Sequence, residues 1–371
     1  MRETLAGGRV QFQTRIGWRL VTRFSLQEAS AIRHGLHTAQ TFSGIFNMKL
    51  IIQPDEGATP VIEFIRSART SLILKQFTFT HPEILQAVLE ANRSDVSVRV
   101  MLNAKRSGGD RANDETFAAL EKGGVAVQWS NPDFYVTHEK SMVADGVRAM
   151  VATYNLCEKY FTRTRDYGLV FENPEKAAQI TECFDADWNR AAWIPAADTG
   201  LVWSNSGSRL AIAKFIDAAE ESLLVQHPKF VDAAVLDRIV DAAARGVRVR
   251  VLCGGRHGIS ECDILDTFAS LRVMHRAGAK IHKQKKLRVH AKLLVADGKR
   301  ALLGSMNLDR SAFDLRRELG ITIDDCDVVT KLIETFHADW EESHRYDAPD
   351  PLDPSQHHET DFPHDPELHH E

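Results

Sequence analysis

The stretch Val136-Thr137-His138-Glu139-Lys140-Ser141-Met142-Val143-Ala144-Asp145-Gly146 has a second copy, Arg288-Val289-His290-Ala291-Lys292-Leu293-Leu294-Val295-Ala296-Asp297-Gly298. Both read H-x-K-x-x-x-x-D-G. Residues two apart on a strand share a face, so His138 projects with Lys140, and His290 with Lys292. Asp-Gly marks a turn between strands. A turn over Asp145–Arg148 returns the chain as a strand from Ala149 to Asn155, with Asn155 opposite His138 and Thr153 opposite Lys140. The same folding of the second copy sets Asn307 against His290 and Ser305 against Lys292. Each hairpin is thus expected to gather an imidazole, an ammonium, a hydroxyl and an amide.

The duplication extends well beyond these motifs. Phe64-Ile65-Arg66-Ser67-Ala68 aligns with Phe215-Ile216-Asp217-Ala218-Ala219 at an offset of 151, and Val98-Arg99-Val100 aligns with Val249-Arg250-Val251. From the histidines onward the offset is 152, and Phe184-Asp185-Ala186-Asp187-Trp188 matches Phe336-His337-Ala338-Asp339-Trp340. One added residue over a whole repeat is what a loop insertion gives. Within each copy, apolar runs and alternating Val/Arg stretches predict strands at Leu50–Ile52, Val96–Leu102, Leu223–Gln226 and Val247–Leu252. Helical periodicity predicts helices at Glu83–Ala91, Glu115–Lys122, Ala233–Ala244 and Ile264–Arg276. Alternating strands and helices predict an α/β fold of two similar layered domains with helices on both sheet faces. The boundary is expected near Trp193–Thr199, giving domains over 48–195 and 196–346.

The 371 residues carry a net charge of −5, unevenly spread. Residues 1–47 hold six arginines against Glu3 and Glu28, and residues 347–371 hold eight acids and no Lys or Arg. Removing the +4 extension and the −8 tail leaves −1 for the body, which lacks the basic footprint of a general nucleic-acid binder. No run approaches the roughly 18 apolar residues of a membrane-spanning helix, and the first residues lack a secretory leader pattern. The expectation is a cytoplasmic protein, in contact at most with a membrane surface. The five cysteines Cys157, Cys183, Cys253, Cys262 and Cys326 form no CxxC pair and point to reduced thiols rather than a disulfide framework. The extension 1–47 has no counterpart in the repeat and is expected to lie outside the fold. The Pro-, Asp- and His-rich tail 347–371, with His357, His358, His364, His369 and His370, is expected to be disordered.

An acid recurs as well. Asp166 follows His138 by 28 residues, and Glu318 follows His290 by the same 28. A carboxylate that accepts the far ring N–H of a histidine fixes its tautomer and raises its basicity, so Asp166 is expected to orient His138 and Glu318 to orient His290. Two imidazoles suit acid–base and nucleophilic work, and two lysines with hydroxyl and amide donors suit a phosphate whose oxygens gain charge. The positive charge comes from side chains, so neither metal nor other cofactor is expected.

These residues resemble the HKD motifs of the phospholipase D superfamily, over roughly Met48 to Arg345. The second copy follows the family pattern through Gly304-Ser305-Met306-Asn307 and Arg317-Glu318. The first departs from it, with Ala152-Thr153 where the family has Gly-Ser. The resemblance implies two α-β-α sandwich domains related by a pseudo-two-fold, with one active site between them and no need of a partner subunit. It also implies that one histidine becomes phosphorylated while the other serves as acid and base. By analogy, attack is assigned to His138 and acid–base work to His290, although the motif does not fix the order. Lys140, Lys292, Asn155, Asn307, Thr153 and Ser305 are expected to hold the phosphate, while Asp145 and Asp297 are expected to be structural turn residues. The implied activity is a phospholipid phosphodiesterase, hydrolase or phosphatidyltransferase, including cardiolipin synthase-like chemistry. A metal-independent nuclease is the alternative, and a catalytically silent phosphate-binding scaffold is the reading from another class. The stretch His275–Arg288, with Arg276, Lys280, Lys283, Lys285, Lys286 and Arg288, suits anionic headgroups or a nucleic-acid backbone. Phe134 and Tyr135 either line the entrance or pack.

Overall fold

The structure is a computed structural model that describes residues 48–357, apart from 107, 108, 257, 258 and 260. It also describes two short antiparallel pairs near the N-terminus, Thr4–Ala6 with Arg9–Gln11 and Gln13–Thr14 with Gly17–Trp18. Met1–Phe46 cluster as a unit of their own, and Asn47–Glu371 form the second unit. His358, His364, His369 and His370 lie outside the described residues.

The larger unit holds two lobes of one design. The first contains β1 (Met48–Gln53), α1 (Thr59–Arg66), β2 (Ser71–Gln76), α2 (Pro82–Arg93), β3 (Ser97–Leu102), α3 (Asp114–Lys122), β4 (Ala126–Trp129), β5 (Ser141–Ala144), β6 (Arg148–Ala152), β7 (Thr164–Glu172) and α4 (Pro174–Trp188). The second repeats this with β8 (Leu201–Trp203), α5 (Ser208–Asp217), β9 (Ser222–Gln226), α6 (Ala233–Ala244), β10 (Arg248–Cys253), α7 (Glu261–Arg276), β11 (Lys280–Lys283), β12 (Arg288–Val289), β13 (Leu293–Ala296), β14 (Arg300–Gly304), α8 (Arg310–Asp314), β15 (Leu319–Ile323) and α9 (Cys326–Glu341), closed by β16 (His344–Arg345). Helix starts follow local chemistry. Asn173 caps α4 through Lys176 N with Pro174 in the first turn, Asp232 caps α6 through Val235 N, and Asp325 caps α9 through Asp327 N and Val328 N.

Both sheets are mixed. In the first the order is β7-β6-β5-β2-β3-β4, with β2, β3 and β4 parallel and β1 antiparallel to β7. The second runs β8-β15-β14-β13-β9-β10-β11-β16. Strand alternation sorts the side chains into layers. On β2, Leu72 and Leu74 pack outward with α1 and α2, while Ile73 points into a central core. That central core joins both sheets with α4 and α9 and includes Val151, Phe184, Leu303 and Phe336.

The lobes also exchange backbone. Residues leading to the second histidine, β12, pair in parallel with β7 of the first lobe, with Arg165 opposite Val289. Reciprocally, Thr137 bridges Arg317. A shift of 152 residues turns one pairing into the other, so the exchange obeys the pseudo-two-fold.

Two expectations change. In the hairpins, Ala144 pairs with Arg148, and Ala296 with Arg300, so three residues rather than four separate the strands. Asp145 and Gly146 take φ of 55° and 69°, as do Asp297 and Gly298 at 55° and 67°, and this left-handed pair closes the turn one residue early. Every facing pair therefore slips by one: Lys140 O accepts from Ala152 N, not from the Thr153 backbone. Expected disordered from Asp347, the tail instead continues along the body to His357. Ala348 is buried, Arg272 donates to Asp350 at 3.0 Å, and Arg256 donates to the His357 carbonyl at 2.7 Å.

Gly304 shows why the second copy needs a glycine there. A Cβ at 304 would lie 2.4 Å from both Gly320 Cα and Leu319 O, which are backbone atoms of β15. Gly304→Ala therefore forces β14 and β15 apart and is expected to destabilise the protein by about 1–3 kcal/mol, read from urea unfolding, whereas Ala152→Gly in the first lobe changes stability by less than about 1 kcal/mol.

Candidate active site

The backbone exchange decides which carboxylate meets which histidine. His138 N and Glu139 N both donate to Arg317 O, at 2.9 and 3.0 Å, and His290 N and Ala291 N both approach Arg165 O, at 3.2 and 2.9 Å. The residue after each arginine then faces the histidine of the other lobe. His138 Nδ1 lies 2.9 Å from Glu318 Oε2, and His290 Nδ1 lies 2.6 Å from Asp166 Oδ1. The expected pairing of Asp166 with His138 and Glu318 with His290 is thus reversed. Spacing along the chain cannot tell a partner within a lobe from its symmetry mate across the seam.

All members of the two dyads are buried, Asp166 and Glu318 completely. Asp166 accepts from two hydroxyls, Thr153 Oγ1 at 2.6 Å and Thr164 Oγ1 at 2.6 Å. Burial pushes the Glu318 carboxyl up to about 8, against the downward pull of Arg316 and Lys140. The Arg316 guanidinium stays 3.9 Å from the Glu318 carboxylate. Lys140 Nζ donates to His138 O at 2.7 Å, and Lys292 Nζ lies 2.7 Å from both His290 O and His290 Nε2. Phe77 packs edge-on against the His138 ring, and Tyr160 lies tilted against the His290 ring, each with centroids 4.7 Å apart.

The Thr153 and Ser305 hydroxyls, expected to meet phosphate, both have partners within the protein. Thr153 Oγ1 donates to Asp166 and accepts from Tyr167 N at 2.9 Å. Ser305 Oγ accepts from Leu319 N at 3.0 Å and donates to Leu319 O at 3.2 Å. Both side chains are fully buried and brace the carboxylate-bearing strands. Asn155 and Asn307 are buried beside the motifs, and among the described residues Asn307 Oδ1 finds no hydrogen-bond donor. Asp145 accepts from the backbone N–H groups of Arg69, Thr70 and Ser71, and Asp297 from those of Glu220, Glu221 and Ser222. These amides hold both carboxyls below the usual carboxylate range although partial burial opposes them.

Beneath the dyads lie two clamps built on the aspartates of the aligned Asp-Trp pairs, which the sequence presents only as part of the repeat. Arg317 grips Asp187 with two bonds of 3.0 Å, and Arg165 grips Asp339 at 2.9 and 3.1 Å. Each arginine immediately precedes the carboxylate that holds a histidine, so the clamp fixes the strand from its opposite face. Lys75 Nζ completes the first clamp, 2.8 Å from Asp187 and 2.9 Å from Glu139, and Gln226 takes that place in the second, 2.8 Å from Asp339. Glu139, Cys183 and Asp187 have the mutual spacing of metal ligands, but the Lys75 ammonium sits among them and supplies the balancing cation. His227, near Lys292, is pushed down to about 3 by burial and that charge, and is therefore neutral.

The basic stretch is not one face. Lys283 is buried 5.6 Å from the Tyr346 ring centroid, and Lys286 pairs with Glu342 at 2.7 Å. Phe134 stacks 4.1 Å from the Arg317 guanidinium and lines a cavity of about 570 Å³ with Asn131, Trp193 and Asn205, while Tyr135 is exposed.

The family model described as cardiolipin synthase, PLD-like domain, matches residues 61–188 and again 212–340. The chain belongs to this family of the phospholipase D superfamily. It is an enzyme of phospholipase D type. Among curated relatives, it is 26% identical over 333 residues to a cardiolipin synthase of Listeria innocua, covering 79% of this chain and 68% of the relative. To the major cardiolipin synthase ClsA of Bacillus subtilis it is 24% identical, covering 74% and 65%. It thus spans about two thirds of the length of these relatives. Among solved structures, the phosphatidylserine synthase of Haemophilus influenzae superposes with a TM-score of 0.66 at 14% identity, covering 81% of this chain and 88% of that one. A polyphosphate kinase from Porphyromonas gingivalis gives 0.66 at 16% identity, covering 81% and 49%. These two likenesses establish the fold. No described helix is long and apolar enough to cross a membrane.

The clamps yield a contrast in stability. Asp187→Ala leaves Lys75 and Arg317 as buried charges and is expected to cost about 3–5 kcal/mol. Asp185→Ala on the same helix removes a half-exposed pair with Arg99 and is expected to cost under about 1 kcal/mol, both measured by urea unfolding.

Proposed function

We propose that the chain transfers a phosphatidyl group between alcohols, as a phosphatidyltransferase of the cardiolipin synthase kind. The observation that carries this reading is the pair of histidine–carboxylate dyads, each built across the seam between the lobes and each accompanied by a lysine, in a chain whose family model bears that description.

In this reading one imidazole attacks phosphorus and the headgroup alcohol leaves with a proton from the other. The same second imidazole then takes the proton of an incoming hydroxyl, which displaces the phosphohistidine. With a second lipid glycerol as acceptor the product is cardiolipin, and with water it is phosphatidic acid. Lys140, Lys292 and the Asn155 and Asn307 amides are assigned to the non-bridging oxygens, while the Thr153 and Ser305 hydroxyls brace the carboxylate-bearing strands. Charge on phosphorus is met by side-chain cations, so the chemistry needs no cofactor. The nuclease alternative loses support from the division of the basic stretch between a buried lysine and an ion-paired one.

Incubation with phosphatidylglycerol vesicles is expected to release glycerol with formation of cardiolipin or phosphatidic acid. Both His138→Ala and His290→Ala should lower turnover on the order of a thousandfold or more. Cleavage of single-stranded DNA without lipid turnover would replace this reading with the nuclease, and unchanged turnover in both variants would remove the site assignment.

A further inference from the structure

The two arginine clamps are related by the pseudo-two-fold, but only one of them is complete. Arg165 binds Asp339 through Nε and Nη2, and its third nitrogen, Nη1, donates to Gln53 O at 2.8 Å and to Asp55 Oδ2 at 3.1 Å. Arg317 binds Asp187 through the same two nitrogens, and its Nη1 has no hydrogen-bond partner among the described residues. The cause is an exchange between the repeats. Gln53 pairs with Asp166, and Trp203 pairs with Leu319, so Ser204 stands where Gln53 does and Ser206 where Asp55 does. Ser206 is exposed, and Arg317 lacks the carboxylate oxygen that Arg165 receives.

In place of that carboxylate is the cavity of about 570 Å³. Arg317 and Asn131 both line it, and both are nearly buried, at 4% and 5% exposure. Asn131 Oδ1 accepts from Asp133 N at 3.0 Å, which fixes the amide and leaves Nδ2 as a second donor with no partner among the described residues. Two such donors on the wall of one cavity mark a place for acceptor oxygens. The balance of ionisable groups favours an anion. The second clamp sets one arginine against two acids, Asp339 and Asp55, whereas the first sets Arg317 and Lys75 against Asp187 and Glu139. A singly charged anion on Arg317 gives both clamps the same formal balance. Asp133, the acid of the cavity lining, is exposed.

The walls and the lip are apolar. The Phe134 and Trp193 rings lie over the Arg317 guanidinium, at 4.1 and 5.7 Å, and Ile194 on the lining is 88% exposed. Tyr135 and Leu315, joined by a bond of 2.9 Å from Tyr135 N to Leu315 O, are exposed as well. Donors at the floor with exposed hydrocarbon beside them fit a phospholipid. We propose that this cavity is a lipid site apart from the histidines, in which Arg317 Nη1 and Asn131 Nδ2 hold the phosphodiester of a phospholipid whose acyl chains run over Ile194, Tyr135 and Leu315. The choice of a lipid rests on the phosphatidyl-transfer reading above, while the place for an anion rests on the unequal clamps. Arg317 and Glu318 are neighbours on one strand and face opposite sides of it, so the lipid is held on the side away from His138.

The other lobe supplies the test. Ser206→Asp offers Arg317 the carboxylate that Asp55 gives Arg165, and Asn131→Asp keeps the Oδ1 acceptor while removing the Nδ2 donor. The full-length protein, labelled with nitrogen-15, is titrated with dihexanoylphosphatidylglycerol below its micelle concentration, with glycerophosphoglycerol, which has the headgroup without the chains, and with inorganic phosphate. The indole signal of Trp193, identified by its loss in Trp193→Phe, reports occupancy. It is expected to move with the lipid, at an affinity at least about tenfold tighter than for glycerophosphoglycerol. Binding should weaken about tenfold or more in Ser206→Asp and in Asn131→Asp, and less than about threefold in Ser206→Asn. Inorganic phosphate binding as tightly as the lipid would make this a site for free phosphate and overturn the lipid. Lipid binding undiminished in both aspartate variants, or a Trp193 signal that none of the three ligands moves, would overturn the site. These failures are separate from failure of the transfer reading, which is lost when phosphatidylglycerol turnover survives both His138→Asn and His290→Asn.

Discussion

Each histidine of this protein is held by a carboxylate from the other lobe, at 2.9 Å for His138 and Glu318 and 2.6 Å for His290 and Asp166. Neither lobe alone contains a complete dyad. The constraint originates in the backbone, because the residues before each histidine add to the strand of the opposite lobe and their amides end on Arg317 O and Arg165 O. Once that pairing is made, strand alternation sends Glu318 and Asp166 to the histidines and sends the arginines before them to the opposite face. The site is therefore a property of the docked pair of lobes, which explains why duplication and fusion in one chain suit it: the partner lobe is always present.

Taking charge out of water is costly, and the seam contains a great deal of it. The opposite face of the exchange strands carries the answer, with Asp187 bound by Lys75 and Arg317, and Asp339 bound by Arg165 and Gln226. In the first of these, burial alone would raise the Asp187 carboxyl, yet the two cations hold it below its ordinary value. Such buried pairs contribute position more than net stability, and here the position they set is that of the carboxylates one residue away that hold the histidines. The lobes differ where the clamps meet the motifs. Lys75 with Glu139 stands where the second lobe has Gln226 with Ala291, so the first clamp is ionic on both sides and the second is completed by an amide.

Much of this was legible in the chain itself, and what was not has definite causes. The repeat survived in residue identity, so the paired H-x-K motifs, the acids 28 residues on and the layered α/β lobes could be read directly. The partner of each acid could not, since equal spacing in two copies is the same whether a bond is made within a lobe or across to its mate. The hairpin register missed by one because Asp145 and Asp297 both enter the left-handed region, a choice made by the amides of residues 69–71 and 220–222 that sit far off in sequence. Thr153 and Ser305 have the chemistry of phosphate donors, and the partners they find on strands β7 and β15 are not visible in the sequence. Asp187 and Asp339 recur in the aligned segments Phe184–Trp188 and Phe336–Trp340, and only the fold reveals the arginines that grip them.

The crossing of the dyads is tested most directly by nitrogen NMR of the protein labelled in its histidine rings, with signals assigned through His138→Asn and His290→Asn. Asp166→Asn should move the Nδ1 resonance of His290 and leave that of His138 in place, and Glu318→Gln should do the opposite. A shift of His138 on changing Asp166, with His290 unmoved, would show that each histidine is held within its own lobe and would contradict the account.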